Sequence, residues 1–265
     1  KQANVYLCAM PTINEILDQN LFSKENLVTL LKAEGADGLL LLQKAGELKL
    51  QTVGNKVYFR GLIELSNVCE KDCLYCGIRK SNKEVKRYNL TDEEVLEAAR
   101  FAYRERYGSI VIQSGEVTNE TFVARIERLI TEIKQLSDNK LGITLSLGEQ
   151  SGEVYLCWFT AGAHRYLLRI ESSNPELYRK LHPGDGNHTY EQRLEALSLL
   201  KKIGYQTGTG VMIGTPFQTL EDLASDLLFF KDFDIDMVGM GPFIEHDDTP
   251  FNTPKPDALP LSARF

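Results

Sequence analysis

The chain has 265 residues, of which 43% are hydrophobic and 25% charged, with a formal net charge of −7. That is enough apolar residue for one large domain with its own core and too acidic for a non-specific nucleic-acid binder, and no apolar run approaches the roughly 18 residues of a membrane span. Five cysteines, three of them within residues 69–76, suit a metal site in a reducing, cytoplasmic setting better than a disulfide framework.

Residues 12–50 carry apolar positions at helical spacing. Ile13, Ile16 and Leu17 form one stripe, Ser23 is a predicted N-cap ahead of Leu27, Leu30 and Leu31, and Gly35 and Gly38 interrupt the pattern. From residue 56 the rhythm changes to strand then helix. Strands are predicted over 57–65, 110–112, 143–147, 165–170, 206–213 and 237–240. A helix starts at Thr91 with Glu94 completing a capping box. Others run over 121–136, up to 161, through a long region ending at 203, and over 220–230. Six such repeats imply an α/β fold with a parallel sheet, either doubly wound or a (β/α) barrel. The division expected is a helical extension over 1–52 and a barrel domain over 53–265. The tail over 247–265 holds Pro250, Pro254, Pro256 and Pro260 and is predicted to be loop. An eight-stranded barrel needs two more units, so the chain reads as a truncated one.

The first strand leads into Cys69, Cys73 and Cys76, spaced C-x3-C-x2-C. Three thiolates on one loop can bind three irons of a [4Fe–4S] cube and leave the fourth iron open to a small chelating molecule. A structural zinc would want a fourth Cys or His at ligand spacing, whereas His164 and His182 lie far along the chain. A redox pair of Cys73 and Cys76 leaves Cys69 unexplained. Lys71, Arg79 and Lys80 are expected to offset part of the negative charge.

Further constellations follow the later strands. Ser114, Gly115 and Glu116 form either a plain turn or a place where a ligand meets the backbone and an ammonium group meets a carboxylate. Thr144 and Ser146 share one face of a strand, towards a barrel interior or towards solvent. Arg169 and Glu171 share a face at the end of the fourth strand, where charged groups read as active-site residues or as a structural salt bridge. Arg193 is suited to a bidentate carboxylate contact, or is a solvated helix residue. Glycines 208, 210 and 214 suggest close approach of a ligand to the fifth strand, without a Walker A pattern. Cys8 and Cys157 are expected to be packing residues, Trp158 to lie on a helix, and His182 and His246 to be exposed in loops.

The pattern Cys-x3-Cys-x-aromatic-Cys, with Tyr75 as the aromatic, resembles the signature of the radical S-adenosylmethionine (SAM) superfamily, and Ser114-Gly115-Glu116 resembles its GGE motif. Longer runs over 66–77, 86–88, 113–116, 144–149, 165–171 and 236–243 resemble the [FeFe]-hydrogenase maturase family HydE, while biotin synthase and methylornithine synthase are less similar there. The resemblance implies a TIM-type barrel in which Cys69, Cys73 and Cys76 hold a [4Fe–4S] cluster. It implies reductive cleavage of SAM on that cluster to a 5′-deoxyadenosyl radical, with no side chain as acid or base. Tyr75, Ser114, Gly115, Glu116, Glu171, Arg193, Ile213 and Met240 are the implied SAM contacts, and Arg60, Thr144, Ser146 and Arg169 the implied contacts to substrate or an anion. A small-molecule or organometallic substrate, a reduced flavodoxin- or ferredoxin-type electron donor and sister maturases are the implied partners, with no nucleic acid and no membrane. Two other functions stay open: a biotin- or methylornithine-synthase-like enzyme on a small organic substrate, and a non-catalytic Fe–S or zinc scaffold.

Overall fold

The structure is a computed structural model and describes residues 11–252. Three helices come first: α1 (Ile13–Gln19), α2 (Lys24–Leu31) and α3 (Gly35–Thr52). Then follow β1 (Gly61–Ser66), α4 (Asp92–Arg104), β2 (Ser109–Ser114), α5 (Glu120–Leu136), β3 (Gly142–Ser146), α6 (Gly152–Ala161) and β4 (Arg165–Leu167). The remainder is α7 (Pro175–Leu181), α8 (Tyr190–Ile203), β5 (Gln206–Ile213), α9 (Leu220–Asp232) and β6 (Met237–Pro242). All six strands are parallel and lie in sequence order. A doubly wound sheet would reverse its strand order at a switch point, and this one does not, so the order is that of consecutive barrel strands.

The alternation of side chains along each strand sorts the two faces of the sheet. Ile63, Leu65, Ile110, Ile112, Ile143 and Leu145 point to the helices and form the main core with Ile126, Leu129, Ile130 and Ile133 of α5. The opposite, concave face carries polar residues: Glu64, Gln113 and Ser146 are in register, as are Val111, Thr144 and Arg165. Glycines in β5 serve the sheet itself. A Cβ at Gly210 would lie 1.7 Å from the Gly239 carbonyl oxygen, and one at Gly208 would lie 2.9 Å from Leu167 Cδ1. Gly208 and Gly210 thus have a packing reason of their own, the close approach of neighbouring strands.

The N-terminal caps form as predicted: Ser23 Oγ accepts from the Asn26 N–H, and Thr91 and Glu94 make a capping box. Ile13, Ile16, Leu27 and Leu30 pack against Ala224 of α9, so the first helices cover the outside of the last one. Gly35 opens α3 at φ 55°, but Gly38 is absorbed within that helix.

Three predicted boundaries differ. β1 starts at Gly61, and residues 57–60 are exposed outside it. Regular pairing of β4 stops at Leu167, because beyond it the Ile170 N–H turns to the Thr209 hydroxyl at 2.9 Å instead of a carbonyl. The long helical region before residue 203 is two helices, α7 and α8, separated by residues 182–189. Among the described residues no helix is long and apolar enough to cross a membrane.

Candidate functional site

The cysteine loop leaves the C-terminal end of β1 and is held by polar side chains on both sides. Ser66 Oγ donates to the Tyr88 carbonyl at 2.9 Å and accepts from the Val68 N–H at 3.1 Å. The Asn67 amide bridges the Lys86 carbonyl at 2.9 Å and the Tyr88 N–H at 2.8 Å. The Arg87 guanidinium donates to four carbonyls, those of Asn67, Ile78, Arg79 and Asn82. One side chain thus satisfies the backbone on both flanks of the cysteines. Arg87 was not among the residues singled out from sequence. Its only signal there was its place in one of the runs that carry the family likeness.

Cys69, Cys73 and Cys76 are half-buried free thiols. Burial pushes all three thiols up, Cys73 to about 12, so binding iron there must release protons. The turn after β2 is fastened to this loop. The Glu116 N–H donates to Cys69 Sγ at 3.3 Å, the Glu70 N–H to the Glu116 carbonyl at 2.8 Å, and the Gly115 N–H to the Ser66 carbonyl at 3.1 Å. Gly115 has to be glycine, because a Cβ would lie 2.2 Å from the Val68 carbonyl oxygen and 2.7 Å from Cys69 Cβ. Ser114 closes on its own turn, with Oγ 2.6 Å from the Gly115 carbonyl oxygen.

A charge network stands behind the loop. Lys71 Nζ lies 3.2 Å from Glu116 Oε1 and 2.9 Å from Glu149 Oε2, and donates to the Asn187 carbonyl. The Glu149 N–H donates to Glu116 Oε2 at 2.8 Å. Arg193 of α8 pairs with Glu149 and donates to the Arg169 carbonyl. Burial drives the Glu116 carboxyl up, helped by the Glu149 charge and only partly countered by Lys71. Burial would raise Glu149 too, but Arg193 and Lys71 outweigh it and hold that carboxyl below its ordinary value. Arg79 is paired with Asp72 at 2.9 Å. The expected role of Lys71 and Arg79 in offsetting cluster charge therefore changes: both already face carboxylates, while Lys80 is exposed.

The end of β4 supplies polar atoms without partners. Arg169 Nε lies 3.0 Å from Glu171 Oε1, but its orientation makes no hydrogen bond. Arg169 Nε and Nη2, Glu171 Oε2, Tyr178 Oη and Thr144 Oγ1 are all buried and unsatisfied. Glu171 is 6% exposed and has φ 61°, a left-handed conformation that a glutamate adopts only where its surroundings enforce it. Burial pushes its carboxyl up, against Arg169 and Arg193. Glu171 forms a backbone bridge with Val211, next in the chain to Met212 of the cluster that also receives Leu74 and Tyr75 of the cysteine loop. Leu74 and Tyr75 of that loop pack against the cluster of Leu177, Leu181, Phe243 and Phe251.

Several expected residues are not brought in. Arg60 is exposed at the opposite, N-terminal end of β1, with Nη1 3.6 Å from Met237 Sδ. Ile213 packs on the helix side of the sheet, while Met212 packs against the cluster of Leu177, Leu181, Phe243 and Phe251. Met240 is in register with Val211 of the main core and is 38% exposed. Arg193 is brought to the site, where it pairs with Glu149 and donates to the Arg169 carbonyl. His182 is a clear correction: it is 2% exposed, stacked on Tyr178, while His246 is exposed as expected. Trp158 is fully buried with Nε1 donating to the Val123 carbonyl, Cys157 is half-buried, and Cys8 lies outside the described residues.

A donor set of three thiols on one loop, beside buried cation and carboxylate atoms that lack partners, fits an iron–sulfur cluster and a zwitterionic cofactor. The chain belongs to the radical SAM superfamily, whose description matches residues 63–230. It is a radical SAM enzyme, and its cofactors are a [4Fe–4S] cluster and SAM. It is 44% identical over 255 residues to the [FeFe] hydrogenase maturase subunit HydE of Thermotoga maritima, covering 96% of this chain and 71% of that one. It is 24% identical to biotin synthase of Bacillus thuringiensis, covering 91% of this chain and 72% of the relative. Among solved structures, methylornithine synthase superposes with a TM-score of 0.82 at 25% identity, over 93% of this chain and 72% of the other.

Proposed function

We propose that this chain is a HydE-like maturase, a radical SAM enzyme acting on the route to the diiron site of [FeFe]-hydrogenase. The single observation that carries this reading is the 44% identity to a HydE over nearly the whole chain. The cofactors together supply one-electron cleavage of SAM and a carbon-centred radical. In this reading Cys69, Cys73 and Cys76 hold three irons. Glu116 and Gly115 fix the loop, and their turn offers the backbone of Ser114 to the cofactor. Glu171 and Arg169 present the unsatisfied carboxylate and guanidinium to its polar groups, with Tyr75 as a wall. Thr144 and Ser146 lie further into the concave face, where a small organometallic substrate would sit. Arg193 acts at one remove, by holding Glu149 and the Arg169 carbonyl. We further propose a cytoplasmic enzyme that works with sister maturases and takes its electron from a reduced flavodoxin- or ferredoxin-type protein. Its barrel domain is taken over 53–265 and its helical extension over 1–52, bounds whose outer ends fall beyond the described residues.

A radical SAM enzyme on a small organic substrate is the second reading, favoured by the superposition on methylornithine synthase. The test is anaerobic iron–sulfur reconstitution followed by EPR of the reduced protein with and without SAM. A [4Fe–4S]⁺ signal that shifts on adding SAM, with 5′-deoxyadenosine formed, is expected. The same assay on Cys69→Ala, Cys73→Ala and Cys76→Ala is expected to show neither. Normal cleavage by any of these variants would refute the cysteine assignment. Turnover of the organic substrate, with none of the organometallic one, would favour the second reading.

A further inference from the structure

The segment joining α7 to α8 does more than connect two helices. It lies against the cysteine loop and receives its polar groups one after another. The Asp72 N–H donates to His188 Nε2 at 2.8 Å, the Leu74 N–H to the Leu181 carbonyl at 3.1 Å, and Lys71 Nζ to the Asn187 carbonyl. The Tyr75 hydroxyl lies 3.3 Å from His182 Nε2. The N–H groups on either side of Cys73, those of Asp72 and Leu74, are therefore taken by the last residue of α7 and the segment that follows it.

The partners of each ring settle its tautomer. A backbone N–H can only donate, so His188 Nε2 is the unprotonated nitrogen, and Nδ1–H donates to Asp185 Oδ1 at 2.8 Å. A carbonyl can only accept, so His182 Nδ1–H donates to the Tyr178 carbonyl at 2.8 Å, which leaves Nε2 to accept from the Tyr75 hydroxyl. His182 stacks on Tyr178 at a centroid distance of 4.0 Å, and both imidazoles are buried, at 2% and 6% exposure. Burial also lowers the His182 pKa to about 3, in keeping with a neutral ring. Two buried imidazoles, each locked by its Nδ1–H, present a lone pair to the same loop.

We infer that His188 and His182 are positioning residues for the iron–sulfur cluster: a two-imidazole latch that fixes the Cys73 backbone and the Tyr75 ring and thereby sets how the thiolates meet iron. This rests on the proposal that Cys69, Cys73 and Cys76 are the ligands. His188 acts through the peptide of Asp72 and touches no thiol, so its effect is on the geometry of the ligand next to it.

The experiment compares the wild type, His188→Ala, His188→Gln and Cys73→Ala, each reconstituted as the full chain. Three quantities are read: the rate of iron loss to a chelator, the EPR g-values of the reduced cluster, and thermal unfolding of the metal-free protein. His188→Ala is expected to hold iron about 10- to 100-fold less well than the wild type, with shifted g-values, as removal of an outer-shell partner does elsewhere. The metal-free variant is expected to unfold a few degrees below the wild type, since the Asp72 N–H loses its partner, so the shifted g-values and the His188→Gln rescue carry the decision. His188→Gln, whose amide oxygen can accept the Asp72 N–H, is expected to restore iron retention. Wild-type retention and g-values in His188→Ala would overturn the latch, as would a His188→Gln variant no better than alanine. If His188→Ala does not fold, His188→Gln decides alone: retention at the wild-type level supports the latch and loss overturns it. Cys73→Ala separates the two claims, since an unchanged cluster in that variant would refute the ligand assignment itself.

Discussion

Arg193 of α8 and Glu149 at the end of β3 form an ion pair whose side chains are 9% and 13% exposed. Removing one partner of such a pair leaves a desolvated charge behind. Arg193→Met is expected to destabilise the fold by about 3 kcal/mol, the low end of the range for buried pairs because Lys71 still faces the carboxylate. Adding Glu149→Gln is expected to recover part of that loss. Urea unfolding of the single and double variants checks both outcomes.

Arg87 is the sole side-chain donor to the carbonyls of Ile78, Arg79 and Asn82 among the described residues. Without it, the Ile78 and Asn82 carbonyls lose their side-chain donor, each at a cost of about 1–3 kcal/mol, while the Arg79 carbonyl keeps the Asn82 N–H. Arg87→Ala is expected to lower stability by about that much or more and to reduce iron bound on reconstitution. Arg87→Lys should rescue little, since an ammonium group cannot reproduce the planar fork. Iron content per chain and thermal unfolding test this.

Gly115→Ala places a methyl group 2.2 Å from a backbone oxygen that has no rotamer by which to move away. The strain is expected to cost about 1–3 kcal/mol and to displace the Cys69 side of the loop. The readout is the yield of the EPR-active cluster relative to the wild type. A full yield would show that the turn after β2 can yield without disturbing Cys69.

Asp226 of α9 gives a pH signature. Its Oδ1 accepts from the Ser173 N–H and hydroxyl, both at 2.6 Å, while Oδ2 is buried without a partner. Burial raises the carboxyl to about 6 from 3.8, with Asp222 and Glu171 adding to the rise. The folded protein then holds the proton more tightly than the unfolded chain. The resulting stabilisation, about 3 kcal/mol, is present below pH 3.8 and lost as pH rises through 6. Asp226→Asn is expected to flatten the dependence of Tm on pH between about 4 and 7. An unchanged slope would place the titration elsewhere.

The motif at residues 69–76 and the strand–helix repeat were legible because both are written locally. Thiol spacing along one loop and apolar periodicity need no knowledge of distant residues. The pairing of Ser114, Gly115 and Glu116 with a ligand-bearing loop could also be suspected from the glycine, although what the glycine admits is the Val68 carbonyl and not a ligand. By contrast, Ile213 and Met240 were expected to contact the cofactor, and the structure packs Ile213 on the helix side of the sheet and sets Met240 in register with Val211. A strand's direction can be read from sequence, but a shift of one residue exchanges its faces. The burial of His182 was equally illegible, since its partners Tyr75 and Tyr178 meet only when α7 folds back on the cysteine loop.

By itself the sequence determined the parallel α/β repeat and singled out three thiols as the proposed iron ligands, matters of residue type and short-range spacing, while the class of chemistry came with the family resemblance. Only the tertiary structure decided the partners of the charges. Lys71 sits between Glu116 and Glu149, Arg193 meets Glu149, and Arg169 lies 3.0 Å from Glu171 with Arg169 Nη2 and Glu171 Oε2 left without hydrogen bonds. The physical reason is that a buried ionic group is governed by whichever opposite charge the fold places within a few ångströms of it, and those neighbours come from strands and helices far apart in the chain.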